Sequence, residues 1–232
     1  MAELKANEGK NPVIQVDGRN YTRLPIKTHL ITDEDDIVEV ARKYGLPVLE
    51  DEKDVLFISE KCEACSQGRA IPIGEVEPRA LARFLSKFVT RTPAGIGLGM
   101  PETMEYALRE CGTARILFAA AVSACGKAIG KKGWFYDIAG PKAKSIDGPT
   151  SNTIPPYNEC VVLGPLEPDK VAKKIADDIG FRTIIVDIND LDGTILGASD
   201  STMDRDLYAR ILGDNPLCQN RESTPMGIIR EE

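Results

Sequence analysis

The chain carries one histidine in 232 residues. A metal site built on clustered imidazoles is excluded, and a histidine-based catalytic triad has only His29 to draw on. A surplus of positive charge is missing too. Lys and Arg number 29 against 36 Asp and Glu, for a formal net charge of −7. Non-specific nucleic-acid binding rests on a basic surface, so no nucleic-acid partner is expected. No apolar run is long enough for a bilayer: Ile116 to Ala124 covers about half of a span, and no membrane partner is expected. The first ten residues lack the apolar stretch of a signal peptide, which places the expected location in the cytoplasm. No repeat or low-complexity block stands out.

What is present is an ordinary soluble composition, 42% hydrophobic and 28% charged. A chain of this size can bury roughly 70% of its unfolded surface without disulfides or structural metals. Many carboxylates and one imidazole point to hard, oxygen-ligated cations for any metal that binds. Such a cation would invert the local charge, so an anionic ligand stays open. Six cysteines (Cys62, Cys65, Cys111, Cys125, Cys160, Cys218) are scattered as free thiols would be in a reducing compartment. Cys62-Glu63-Ala64-Cys65 is a C-x-x-C without the second pair that zinc needs. Its thiol-redox reading requires the motif to open a helix after a strand, and packing is the plainer reading.

Residues 1–20 read as a polar lead-in and 21–232 as one domain or two intertwined subdomains. Asp33 to Asp36 can cap a helix with Ile37, Val40, Ala41 and Tyr44 inward, ending at Gly45. Asp54 to Ser59 has the length and apolar continuity of a buried strand. Helices are expected after Pro78, with Leu81, Phe84, Leu85, Phe88 and Val89 on one face, then after Pro101, over 114–127 and after Pro168. Trp134 to Ile138 reads as an aromatic strand, 140–156 as a long loop, and Cys160 to Leu163 and Met226 to Ile229 as strands.

Two segments carry chemistry on their own pattern. Gly95-Ile96-Gly97-Leu98-Gly99 enters a helix and reads as a phosphate cradle or a flexible connection; neither a P-loop nor a dinucleotide fingerprint is present. Thr183 to Val186 is a buried strand delivering Asp187, Asn189, Asp190 and Asp192, either oxygen ligands for a metal or a turn bonded to its own backbone.

In order along the chain, Leu24-Pro25-Ile26, Asp54 to Ile58, Ser66-Gln67-Gly68-Arg69, Gly99 to Glu102, Ala143 to Asp147, Leu166 to Asp169, Ile185 to Asn189 and the Asn215 to Ile229 tail resemble the coenzyme F420-0:L-glutamate ligases. The similarity is closest to a shorter bacterial, ligase-like branch of those γ-glutamyl ligases. It implies an α+β fold of mixed sheets with packed helices, a homodimer, and GTP with Mg²⁺ or Mn²⁺. The implied chemistry phosphorylates an acceptor carboxylate and then joins L-glutamate through a γ-linked amide. By the same resemblance Asp147, Asp187, Asn189 and Glu222 are metal ligands. Leu24, Pro25, Ile26 and Lys27 serve the nucleotide, and Arg69 an anionic group of the substrate, with Arg69, Asp147 and Asp187 as the catalytic set. Gly97 and Gly99 join the nucleotide residues on their glycine-rich entry to a helix.

The departures from that pattern are Ile188 for a threonine, Asp190 for a glycine, and Cys65, Ser66 and Gln67 where a lysine precedes Gly-Arg. An arginine expected shortly after Asp187 is also missing. These motivate a second reading, a ligase-like protein that binds a nucleotide or flavin-type ligand without turnover. A thiol-dependent activity at Cys62 and Cys65 is a third.

Overall fold

A computed structural model describes residues 4–89, 97–128, 130, 133–189, 193–218 and 221–232. Among these residues are eight strands: β1 (Val13–Val16), β2 (Arg19–Ile26), β3 (Val55–Ser59), β4 (Ala70–Pro72), β5 (Cys160–Val162), β6 (Arg182–Ile188), β7 (Gly193–Ala198) and β8 (Met226–Glu231). The helices are α1 (Ile37–Val40), α2 (Glu60–Ser66), α3 (Ala80–Leu85), α4 (Pro101–Glu110), α5 (Thr113–Ala128), α6 (Trp134–Ala139), α7 (Pro141–Lys144), α8 (Pro168–Ile179) and α9 (Arg205–Ile211). The fold is therefore α+β. The chain forms two compact units, Met1–Gly68 with Pro165–Glu232, and Arg69–Gly164. No described helix is long and apolar enough to cross a membrane.

The first unit is built on a six-stranded sheet in the order β1-β2-β8-β3-β6-β7. Only β3 and β6 pair in parallel; every other neighbour is antiparallel. The central strands are apolar on both sides, so alternate residues serve two cores. Leu56, Ile58, Ile185, Met226 and Ile228 meet Ala172, Ile175 and Ile179 of α8 and Ile37 and Val40 of α1. Val55, Phe57, Ile184, Val186 and Ile229 meet Tyr208 and Ile211 of α9. Each such side chain contributes about 1.5–3 kcal/mol when fully withdrawn from water. Asp36 caps α1, accepting from the Val38 amide at 2.8 Å, and the helix widens into a π-type turn that ends at Gly45, as the apolar spacing predicts.

The lead-in expected over 1–20 is more ordered than its polarity suggests. Val13–Val16 is a full strand, and Asp17 and Gly18 turn the β1–β2 hairpin with φ of 50° and 79°. Aspartate-glycine at positive φ is the two-residue turn that matches strand twist.

The second unit packs α3 to α7 around Leu98, Met104, Leu108, Ile116, Ile146 and Val161, with β4 and β5 as a two-stranded ribbon. Three expectations are corrected here. Trp134–Ala139 is a helix, not a strand: Phe135, Ile138 and Ala139 recur at helical spacing against this core. The Trp134 ring lies so close to Gly126 of α5 that a Cβ there would sit 2.8 Å from it. Phe84 and Phe88, expected inward, are 57% and 61% exposed, and the buried positions of α3 are Ala82 and Leu85. Residues 140–156 begin as helix α7 before becoming loop.

The sheet and α8 meet at Gly197. A Cβ there would lie 2.4 Å from the Pro168 carbonyl carbon and 2.8 Å from the Asp169 nitrogen, both backbone atoms that no rotamer change can move. Gly197→Ala is expected to lower stability by about 1–3 kcal/mol, read as a lower urea midpoint at unchanged slope. Gly213→Ala, whose nearest contact would be an ordinary 3.4 Å, serves as the comparison and should shift little. Equal midpoints for the two variants would contradict the packing described.

Candidate active site

Four strands of the first unit start or finish on one edge of the sheet. Met226, the first residue of β8, pairs with Ile26 at the end of β2 and with Ile58 near the end of β3. Ser59 pairs with Val186, so β6 delivers Asp187 and Ile188 to the same edge. Backbone hydrogen bonds join the emerging loops: the Thr28 amide donates to Ser223 O at 3.0 Å, and the Ser59 amide to Pro225 O at 2.8 Å. The outlet of neighbouring parallel strands is where open α/β sheets place their ligands.

This edge carries Lys27, Asp187, Asn189 and Glu222 from three separate stretches of sequence. Lys27 is exposed, while Asp187, Asn189 and Glu222 are half-buried. Leu24, Pro25 and Ile26 stand inside β2 and pair with Ile228, Gly227 and Met226, with Pro25 and Ile26 buried. Lys27 is thus the member of that stretch presented beyond the ladder. Asp187 also lies within its strand, opposite Thr194, rather than past its end. Asp190 and Asp192 fall outside the described residues, as do Gly95 and Ile96.

Two acids on the same edge are absent from the sequence expectations. Glu60 and Glu63 occupy one face of α2 directly after β3, and both are buried. Glu60 accepts from the Lys61 ammonium at 2.6 Å. Glu63 Oε1 accepts from Gln67 Nε2 at 3.2 Å, and its Oε2 has no hydrogen-bond partner among the described residues. Burial, then the neighbouring Glu60 charge, push the Glu63 carboxyl up to about 8 against the opposing Gln67 bond. The available signal was two glutamates at i and i+3 immediately after a wholly apolar strand. Cys62 and Cys65 lie on that helix as well, in the strand-then-helix setting that a redox motif requires. Both are buried, and burial pushes the Cys62 thiol well up, which disfavours a reactive thiolate. The single histidine bridges Tyr44 and Asp35, with Nδ1 2.8 Å from the hydroxyl and Nε2 2.9 Å from the carboxylate.

In the second unit the Arg69 guanidinium donates through Nε to Gly164 O at 2.6 Å and through Nη2 to Glu110 at 2.7 Å. Asp147 is exposed and exchanges both backbone hydrogen bonds with Val162. Gly97 has a φ of 49°, and a Cβ there would meet the Tyr136 hydroxyl at 2.9 Å. Leu98 is buried and its amide donates to that hydroxyl, so this turn spends a donor on its own unit. Among the described residues no three His, Cys, Asp or Glu side chains are gathered closely enough to hold a metal ion.

A family model described as F420-0:Gamma-glutamyl ligase matches residues 25–200, about three quarters of the chain. The chain belongs to the F420-0:γ-glutamyl ligase family. No curated protein matches it at a significant level. The matched span runs from the last two residues of β2 through β7 and so covers Lys27, Glu60, Glu63, Asp187 and Asn189, while Glu222 lies beyond it. Within this family member Ile188 packs against the apolar cluster beneath α9, where its side chain offers no oxygen.

Glu63 sets a pH dependence on stability. Its carboxyl is held well above the ordinary value of 4.5, so between 4.5 and about 8 the folded chain binds more protons than the unfolded one. Stability therefore falls as pH rises through that window. Glu63→Gln removes this contribution. The variant is expected to match wild type in acid below the window and to become the more stable protein by about pH 8, measured by urea unfolding across pH. A difference that stays constant across the window would contradict the assignment.

Proposed function

We propose that the chain is an amide ligase that joins L-glutamate to an F420-type carboxylate acceptor through a γ-linkage, driven by GTP and a divalent cation. What supports the reading is the family membership together with the polar edge of the first unit, onto which β2, β6 and the stretch before β8 bring Lys27, Asp187, Asn189 and Glu222.

The donor set fits Mg²⁺ or Mn²⁺. Asp187, Asn189 and Glu222 offer oxygens only, and Mg²⁺ commonly takes one or two carboxylates and fills its remaining positions with water and substrate phosphates. The missing three-acid cage among the described residues is compatible with that mode. When bound, the cation would neutralise phosphate charge. Lys27, exposed at the end of β2, would bind nucleotide phosphate as a mobile positive charge. In the second unit, Asp147 as a ligand is a proposal carried by the resemblance, and Gly97 and Gly99 beside a phosphate one carried by the glycine-rich entry to a helix. Arg69 keeps Nη1 for an anionic group after its other nitrogens engage Gly164 and Glu110.

The reaction balances as two displacements. An acceptor carboxylate oxygen attacks the γ-phosphorus and the bond to GDP breaks, giving an acyl phosphate. The glutamate amine then attacks the acyl carbon, a C–N bond forms, phosphate leaves, and the amine releases a proton to water.

With full-length protein, F420-0, L-glutamate, GTP and Mn²⁺, GDP and phosphate should form in step with a glutamylated product. Asp187→Asn should lower kcat by about 10²-fold with an unchanged melting temperature. Ile188, packed in an apolar cluster, favours the second reading of binding without turnover. Thermal stabilisation by GTP only with Mg²⁺ or Mn²⁺ present, combined with no product from any carboxylate tried, would select that second reading over the first.

A further inference from the structure

The opposite edge of the same sheet, where β3 and β6 begin, holds a cleft of about 240 Å³ that plays no part in the proposed reaction. Its floor is apolar, formed by Val55, Ile229 and Leu207 together with the rings of Tyr21 and Tyr208. Both tyrosines are largely buried, 5% and 8% exposed, and among the described residues neither hydroxyl has a hydrogen-bond partner. Lys53 and Arg182 stand on the rim. Arg182 donates to the Lys53 carbonyl at 3.3 Å, and neither cation has a carboxylate within ion-pair distance among the described residues. Two acids also line the cleft, and both are engaged: Glu231 pairs with Arg19 at 3.0 Å, and Asp204 accepts from the Leu207 amide at the start of α9.

The cleft therefore offers two cations without a carboxylate partner and two hydroxyls without an acceptor over an apolar floor. A pair of tyrosine hydroxyls opening into the cleft beside two cations that no carboxylate pairs is an arrangement that an oxyanion completes. The floor adds a second requirement, because a bare inorganic ion would leave the aromatic and aliphatic surface uncovered. We infer that this cleft binds a small organic carboxylate with an apolar body, its carboxylate toward Arg182, Lys53 and the two tyrosines and its body on Val55 and Ile229. The site is separate from the proposed active edge, so the inference stands whether or not the ligase reading holds.

Benzoate is the probe, with benzamide as its neutral isostere and inorganic phosphate as the bare oxyanion. Isothermal titration of the full-length protein should show saturable benzoate binding with a Kd of about 1 mM, ordinary for so small a ligand. Neither benzamide nor phosphate should displace it at equal concentration. The Lys53→Gln, Arg182→Gln double variant removes no ion pair and should fold; it should weaken benzoate by about tenfold or more. Tyr208→Phe should weaken it as well. Intermolecular NOEs from the benzoate ring to Val55 and Ile229 methyl groups supply a readout that does not depend on any variant. Absence of benzoate binding, equal binding of benzamide, displacement by phosphate, or NOEs to other methyl groups would each overturn the proposal.

Discussion

The parallel pairing of β3 with β6 is the constraint on which the rest of the first unit depends. Residues Val55 to Ile58 and Thr183 to Val186 are all buried, so both strands need a covered face above and below. A parallel pair cannot be closed by a tight turn. The chain leaves β3 through α2, builds the whole of Arg69–Gly164, and returns through α8 to begin β6. One consequence is that both strands end on the same edge, which gathers residues far apart in sequence. The other is that both strands begin on the opposite edge, where Lys53 and Arg182 become neighbours.

The buried acids divide by their company. Asp54 is fully buried and accepts from Arg230 and from the Glu50 and Asp51 amides; these bonds outweigh burial and hold its carboxyl below the usual range. Glu105 is likewise buried and is held low against burial by Arg79 and Arg109. Glu63 has another glutamate and a glutamine instead, so burial wins and the proton stays. Paired buried charge is tolerated, and unpaired buried charge is neutralised. The net charge of −7 says nothing about this division, which rests entirely on what each carboxylate touches.

Much of the architecture was legible in the sequence because it rested on periodicity. The inward residues Ala172, Ile175 and Ile179 of α8, Met104, Ala107 and Leu108 of α4, and the continuous run of β3 all follow from spacing. The aromatic helix α6 was not legible, since Trp, Phe and Tyr in a row carry strand propensity and only the packing of Trp134 over Gly126 decides otherwise. The hairpin at Asp17-Gly18 was legible in principle from its turn pair but obscured by polar surroundings. Asp187 and Asn189 stood out as strand-end oxygens, whereas Glu60 and Glu63 carried no expectation. Their burial is a tertiary fact: it depends on α2 lying against β6, which no local pattern announces.

The central claim is that nucleotide and cation meet the first unit at the outlet of β3 and β6. Paramagnetic broadening of backbone amide signals by Mn²⁺–GTP tests this most directly, because it maps the cation without requiring turnover. The account predicts that the Thr28, Ser59, Asn189 and Ser223 amides broaden while those of Val55, Arg182 and Ile229 keep their intensity. Broadening centred on Val55, Arg182 and Ile229, with the first group untouched, would contradict it.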